Sequence, residues 1–98
     1  MKYSLHPDAK QDMKEAATYY KERGGKRLAQ TFFSDFERSI SLLTQSPLLG
    51  ASWLHNTRRL VMHHFPYSIV YKILDTKICV IAVSHNSRRP DYWKKRIQ

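Results

Sequence analysis

The sequence predicts an α+β domain in which a helical hairpin packs on an antiparallel sheet, in the order β-α-α-β-β-β with a short C-terminal element. Three observations support this fold class. Apolar residues recur at helical spacing through residues 9–43, the pattern changes after Gly50 to runs rich in Val, Ile and Tyr, and turn signals separate those runs. Since the chain has 98 residues, we expect one domain over residues 1–98.

The N-terminal half should contain a short strand at residues 2–5 and then two helices. Pro7 and Asp8 suit a first helical turn, because the missing proline N–H would be unpaired there and a carboxylate interacts favourably with the helix dipole. Gly24-Gly25 should end this helix, and a second helix is expected from about 26 to 45. Two helices joined by Gly-Gly predict an antiparallel hairpin.

Three strands are predicted in the C-terminal half, at residues 58–65, 68–74 and 77–84. The last is apolar at nearly every position, so both of its faces should be covered. The helices can cover one face, and either the C-terminal segment or a bound partner must cover the other. His63 and His64 would lie next to each other on the first strand and point to opposite faces.

The charge of the chain is strongly asymmetric. The net charge is +9, and residues 51–98 hold nine Lys/Arg against two Asp/Glu, whereas residues 1–50 hold eight against six. A basic half beside a balanced half indicates a surface that meets an acidic partner, although a basic surface can also serve solubility alone.

Several classes of function are disfavoured by the sequence. The one cysteine excludes an internal disulfide, no histidine pair has the helical spacing of a zinc motif, and no metal or cofactor is expected. There is no nucleophile elbow, no glycine-rich phosphate loop and no paired carboxylates in the basic half. Without a signal peptide or an apolar run long enough for a bilayer, we expect a cytoplasmic protein with no membrane partner.

A cationic and aromatic set remains as the candidate functional residues. Such side chains can cleave RNA without a metal, through a general base, a general acid and arginines that stabilise the phosphate. They also make a good protein interface. Tyr92 and Trp93 can instead pack the tail onto the open sheet face. The set is Arg58, Arg59, His63, His64, His85, Arg88, Arg89, Tyr92, Trp93, Lys94, Lys95 and Arg96.

The chain resembles the toxins of the RelE/ParE superfamily of bacterial type II toxin–antitoxin systems. The resemblance is carried by "RRLVMHHFPYSIVYKI" and "ICVIAVSHNSRRPDYWKKR", with support from "HPDAKQDMKEAATYY" and "FFSDFERSISLLTQSPLLG" in the helical half. It implies a small basic toxin of the kind associated with plasmid stabilisation, bound and neutralised by a cognate antitoxin in a hetero-oligomer.

The superfamily divides by mechanism, and the resemblance leaves two mechanisms open. RelE-like members cleave mRNA on the ribosome, whereas ParE-like members poison DNA gyrase without being nucleases. RelE-type nucleases carry an arginine directly after the aromatic that matches Tyr67, where this chain has Ser68. They carry another just past the last strand, where it has Asn86. Tyr92 matches a catalytic tyrosine. Some RelE relatives use a histidine near the C-terminus as general base, and His85 is the candidate for that role in this chain.

Because those arginines are missing, we expect a ParE-like growth inhibitor that acts on gyrase by binding and is not an enzyme. The alternatives are a RelE-like mRNA endonuclease and a non-toxic basic module that binds antitoxin or nucleic acid. The tail beyond Trp93 is expected to be loosely held. The candidate residues are, for a nuclease, His85, Arg88, Arg89 and Tyr92; for target or phosphate binding, Arg58, Arg59, His64, Lys94, Lys95 and Arg96; and as antitoxin or packing anchors, Tyr67, Tyr71 and Trp93.

Overall fold

The structure, a computed structural model, describes residues 1–97 and confirms the α+β class. A five-stranded sheet in the order β1-β5-β4-β3-β2 carries one helical segment on one face. Two short 3-10 turns lie at Leu54–Asn56 and Lys94–Ile97. The elements are β1 (Lys2–Leu5), α1 (Pro7–Gln45), β2 (Ala51–Trp53), β3 (Thr57–Val61), β4 (Tyr67–Leu74) and β5 (Lys77–His85).

The helical segment α1 is a hairpin, as the sequence predicts. Gly25 interrupts it with φ 79° and ψ −176°, a backbone conformation that is open almost only to glycine. The ring centroids of Tyr20 and Phe32 are 5.4 Å apart. A continuous helix would place residues twelve positions apart about 18 Å from each other, at 1.5 Å per residue. The two halves of α1 therefore fold back on each other at the glycine.

The sheet differs from the prediction in two ways. It is not wholly antiparallel, because β1 pairs in parallel with β5, Lys2 opposite Lys77 and Leu5 opposite Val80. The intervening helices provide the crossover that parallel neighbours need. The sequence also missed β2, a three-residue strand that pairs with β3 and is too short for a period-2 pattern.

The first predicted strand ends earlier than expected. β3 stops at Val61, and residues 62–66 form a loop whose His64 N–H donates to the Asp35 carboxylate at 3.0 Å. The expectation that His63 and His64 point to opposite faces is therefore wrong. Their ring centroids are 4.3 Å apart, because the alternation of side chains applies only while the strand continues.

Both faces of β5 are covered, as its apolar sequence requires. On the helix face, Ile78 and Val80 pack in the main core, which also contains Phe32 and Leu43. On the other face, the fully buried Trp93 packs with Val70, Ile81 and Ala82. The C-terminal segment, rather than a partner, therefore covers the second face of the sheet.

Gly25→Ala should lower the free energy of unfolding by about 1–3 kcal/mol, because the residue's backbone conformation is strained for any side chain. Nothing lies within 4 Å of the position that a β-carbon would take, so the cost is conformational rather than steric. Urea unfolding measures this. The exposed neighbour Lys26 gives the control, since Lys26→Ala should change the stability by no more than about 0.5 kcal/mol. Equal losses in the two variants would contradict the role of Gly25.

Candidate functional site

The C-terminal segment is attached to the fold by one buried carboxylate, that of Asp12 on the first half of α1. Its Oδ2 accepts hydrogen bonds from the Val83 N–H at 3.0 Å, the Tyr92 hydroxyl at 3.1 Å and the Arg96 Nη1 at 2.7 Å. Its Oδ1 accepts from Arg96 Nη2 at 3.2 Å. Asp12 is only 7% exposed, so it joins a helix, the interior strand β5 and the tail inside the protein.

A β-bulge provides a further acceptor for the same arginine. The ladder pairs Val70 with Ala82 and Tyr71 with Val80, which leaves Ile81 as an extra residue in β5. A bulged residue falls outside the regular ladder. Its carbonyl accepts a hydrogen bond from Arg96 Nη1 at 3.1 Å.

The tail is therefore more firmly attached than the sequence predicted. Charged residues past Trp93 indicated a solvated end, yet the side chain of Arg96 is only 13% exposed. Burial alone would lower the pKa of Arg96, but its hydrogen bonds to Asp12 and the charge of that carboxylate outweigh burial, and the pKa is raised. Burial, followed by the nearby Asp12 charge, raises the pKa of Tyr92 to about 12.

A cleft of about 160 Å³, here called the arginine cleft, opens on the sheet face that Trp93 covers. The guanidinium carbon of Arg59 lies 3.9 Å from the centroid of the Trp53 ring. On the opposite side, the guanidinium carbon of Arg88 lies 3.5 Å from the centroid of the Tyr92 ring. The walls include Trp53, Arg59, Ser84, His85, Arg88 and Trp93.

The two positions at which the resemblance to RelE-type nucleases predicts arginines lie together in this cleft. Ser68 on β4 and Asn86 just after β5 both line it, and the Ser68 hydroxyl donates to the Asn86 Oδ1 at 2.6 Å. A hydrogen-bonded pair of neutral side chains therefore occupies this part of the cleft.

His85 stands between the arginine cleft and a second cleft of about 220 Å³ beside Tyr19 and Tyr67. Its Nδ1 accepts a hydrogen bond from the Ser87 backbone N–H at 3.1 Å and lies 2.8 Å from the Ser87 hydroxyl. Because a backbone N–H can only donate, Nδ1 carries the lone pair and the proton of the neutral ring is on Nε2. The ring packs against Tyr67, with centroids 5.1 Å apart.

Other predicted residues are engaged within the fold. Arg58 donates from Nη1 to the Gly50 carbonyl at 2.6 Å. Tyr71 is fully buried, and its hydroxyl donates to the Pro47 carbonyl at 2.7 Å and accepts from the Gly50 N–H at 3.0 Å. Tyr67 is half-buried in an aromatic cluster with Phe32 and other rings. These side chains position the loop before β2 and the core beneath the clefts.

The remaining predicted cations are spread over the surface. The side chain of Arg89 is 84% exposed, and its Nε lies 3.4 Å from the Asp91 Oδ1. It lines a shallow surface cleft with Tyr92, Lys94 and Lys95. His64 lies apart from this group, in the loop between β3 and β4. Of the predicted residues, the structure thus gathers Arg59, His85, Arg88 and Trp93 around one cleft.

Sequence reasoning missed two residues of the site. Trp53 belongs to the short strand that was not predicted. Asp12 had a signal, since it lies three residues after Ala9 and four before Ala16 and so falls within the apolar stripe of the first helix. A carboxylate in such a stripe indicates a buried partner, because buried charges are paired in folded proteins.

Two properties are established for residues 1–97 only. No helix there combines the length and the apolar character that crossing a bilayer requires. Nor do these residues contain a group of three or more His, Cys, Asp or Glu side chains that could hold a metal ion.

Comparisons with known proteins identify the class of protein that this fold and site represent. The model of the family described as "ParE toxin of type II toxin-antitoxin system, parDE" matches residues 3–90. The chain is also similar to a solved structure titled "Chromosomal ParDE TA system from P. aeruginosa", with a TM-score of 0.77 and 19% identity over 87% of this chain and 95% of that one. A search of curated proteins finds no match. The chain belongs to the ParE toxin family of type II toxin–antitoxin systems.

Asp12→Asn should lower the free energy of unfolding by about 3 kcal/mol or more, because the buried guanidinium of Arg96 loses its one buried counter-charge. Asp8→Asn is the matched control. Its carboxylate lies 3.7 Å from Arg96 Nε but is 63% exposed, and its loss should cost under about 1 kcal/mol. Denaturant unfolding compares them, and an equal or larger loss in the Asp8 variant would refute the central role of Asp12.

The Tyr92 hydroxyl should ionise near pH 12, against an ordinary pKa of 10.0. The difference in phenolate absorbance between the wild type and Tyr92→Phe isolates this titration. Since the pKa is higher in the folded state, the associated stability is present below pH 10 and is lost as the pH rises toward 12. Ionisation of Tyr92 near pH 10 would mean that it is not held against Asp12 in solution.

Proposed function

We propose that this ParE-family chain is a growth-inhibiting toxin that acts on DNA gyrase by binding and is neutralised by a cognate antitoxin. The observation that carries the proposal is the hydrogen bond between Ser68 and Asn86 at 2.6 Å. Neutral side chains at these two positions contribute none of the positive charge that stabilises a pentavalent phosphate. Gyrase as target also places the protein in the cytoplasm.

The candidate acid and base groups also support action without chemistry. The Tyr92 hydroxyl donates to Asp12 at 3.1 Å and has its pKa raised to about 12, far from the value that suits proton transfer near neutral pH. His85 uses Nδ1 to accept the Ser87 N–H, so the neutral ring offers only a donor, Nε2–H, to a ligand. A general base for a 2′-hydroxyl would have to accept a proton.

An exposed apolar groove supports the proposed antitoxin partner. It has a volume of about 440 Å³ and lies between β1, an edge strand, and the two halves of α1. Tyr3 and Phe33 are 45% and 41% exposed there, and the charged residues of the lining are Lys10, Lys14 and Glu37, which give it a net positive charge. An apolar segment with acidic residues would suit this groove.

The RelE-like alternative keeps one observation in its favour. Arg59, His85 and Arg88 still surround one cleft, and arginines are the side chains that phosphate chemistry uses. In that function Tyr92 and His85 would transfer protons, and Arg89 would join the other two arginines at the phosphate.

The third alternative is a non-toxic member of the family. It would retain the fold and still bind the antitoxin, but it would not act on a cellular target.

Induced expression should arrest growth, and co-expression of a cognate antitoxin should relieve the arrest. Purified protein should block supercoiling by gyrase and leave mRNA intact in a ribosome assay. Cleavage of mRNA with unimpaired supercoiling would overturn the gyrase proposal, and unimpeded growth would overturn the toxin proposal altogether.

Tyr92→Phe separates the two mechanisms within one protein. It removes one hydroxyl and retains the ring that packs against Arg88. If the toxin acts by binding, this variant should inhibit growth and gyrase within about threefold of the wild type once its fold is verified by circular dichroism. A nuclease that uses this hydroxyl should lose about 100-fold or more in rate.

A further inference from the structure

The arginine cleft is rich in hydrogen-bond donors and has no acidic side chain. Among the described residues that line it, the charged groups are Arg59 and Arg88, and the polar ones are Ser68, Ser84, His85 and Asn86. Neither arginine forms an ion pair with a carboxylate within residues 1–97. A concave site with two uncompensated cations and no carboxylate favours an anionic ligand.

Both arginines are held in place by aromatic rings instead of carboxylates. Arg59 lies over Trp53 at 3.9 Å, and Arg88 lies over Tyr92 at 3.5 Å. Stacking uses the face of a guanidinium and leaves the N–H groups on its edge free to donate. The rings therefore restrict the two cations before a ligand arrives, which reduces the entropy cost of binding.

Two further donors lie at the same cleft. The neutral His85 ring carries its proton on Nε2, because Nδ1 accepts the Ser87 N–H at 3.1 Å. Trp93 forms part of the wall and is fully buried, and its indole Nε1–H has no acceptor within residues 1–97. A buried donor without an acceptor costs free energy. A ligand oxygen that accepted a hydrogen bond from this indole N–H would remove that cost.

We propose that the arginine cleft binds a phosphate group, either free or carried by a nucleic-acid strand, and holds it without cleaving an ester. Phosphate suits the cleft better than a carboxylate. Donors approach from β3 through Arg59, from the end of β5 through His85, and from the following loop through Arg88. A tetrahedral anion with three or four acceptor oxygens can meet all of them, whereas a planar carboxylate has two oxygens on one edge.

The same geometry explains why the bound ester should remain intact. Cleavage of RNA needs a group that removes the 2′-hydroxyl proton. His85 presents a donor to the ligand, and the Tyr92 hydroxyl is bonded to Asp12 at 3.1 Å. The cleft thus contains binding groups without a poised base. This inference does not depend on gyrase, since either result of the gyrase assay is compatible with it.

Intrinsic fluorescence tests the proposal directly, because both tryptophans of the chain, Trp53 and Trp93, line the cleft. Inorganic phosphate should change their emission in a saturable titration. Arg59→Gln and Arg88→Gln should each weaken binding about 10-fold or more, whereas Arg38→Gln, which removes the same charge from an exposed position on α1, should bind within about twofold of the wild type. Circular dichroism verifies that the three variants are folded.

A second titration distinguishes the source of the phosphate. The probes are inorganic phosphate and a short 5′-phosphorylated single-stranded DNA. If both bind with similar affinity, the cleft recognises a terminal phosphate. If only the oligonucleotide binds, the cleft recognises a strand. Both results require the two cleft arginines. No saturable response to either probe, equal losses in all three variants, or displacement of phosphate by a glutamate-rich peptide that binds more tightly would overturn the proposal. Cleavage of a matched RNA oligonucleotide would overturn the claim that the ester is retained.

Discussion

The fold of this chain depends on one buried carboxylate. Asp12 accepts hydrogen bonds from Val83 in β5 and from Tyr92 and Arg96 in the tail. A buried charge is tolerated only when its desolvation is offset by partners of this kind. Because Asp12 lies on the helix and its partners lie on β5 and in the tail, the packing of the helix on the sheet and the packing of the tail depend on the same carboxylate. The tail in turn brings Trp93 onto the sheet, which would otherwise expose an apolar face to water.

The functional surface follows from that attachment. When Trp93 packs on the sheet, it forms one wall of the arginine cleft. The other walls come from β3, from the end of β5 and from the loop that follows β5. Neither Arg59 nor Arg88 would be near the other in an isolated hairpin, since one lies on β3 and the other follows β5, with β4 between. The cleft is therefore a property of the assembled sheet and tail. Its neutral Ser68–Asn86 pair and the engaged Nδ1 of His85 are the observations that support the proposed action by binding.

The sequence predicted the elements whose signals are local. Proline at the start of α1, glycine at its turn and the apolar run of β5 act through backbone geometry or burial of the same residues, so they can be recognised without a partner. The short β2 could not be recognised, because three residues carry no period and its pairing with β3 exists only in the sheet. For the same reason, the loop that follows Val61 was predicted as strand. His63 and His64 fit a strand by composition, and only the Asp35 contact fixes a loop there.

The sequence by itself determined the α+β class, the helical hairpin, the basic half and the resemblance to RelE/ParE toxins, because period, turn residues, charge and motif are all linear properties. Only the tertiary structure decided which predicted residues act together. It paired Arg96 with Asp12 and Arg58 with Gly50, and it buried Tyr71 and Trp93. Within residues 1–97 it left Arg59 and Arg88 without an ion pair to a carboxylate. The physical reason is that burial and ion pairing depend on distances between residues up to 84 positions apart, and no local pattern encodes those distances.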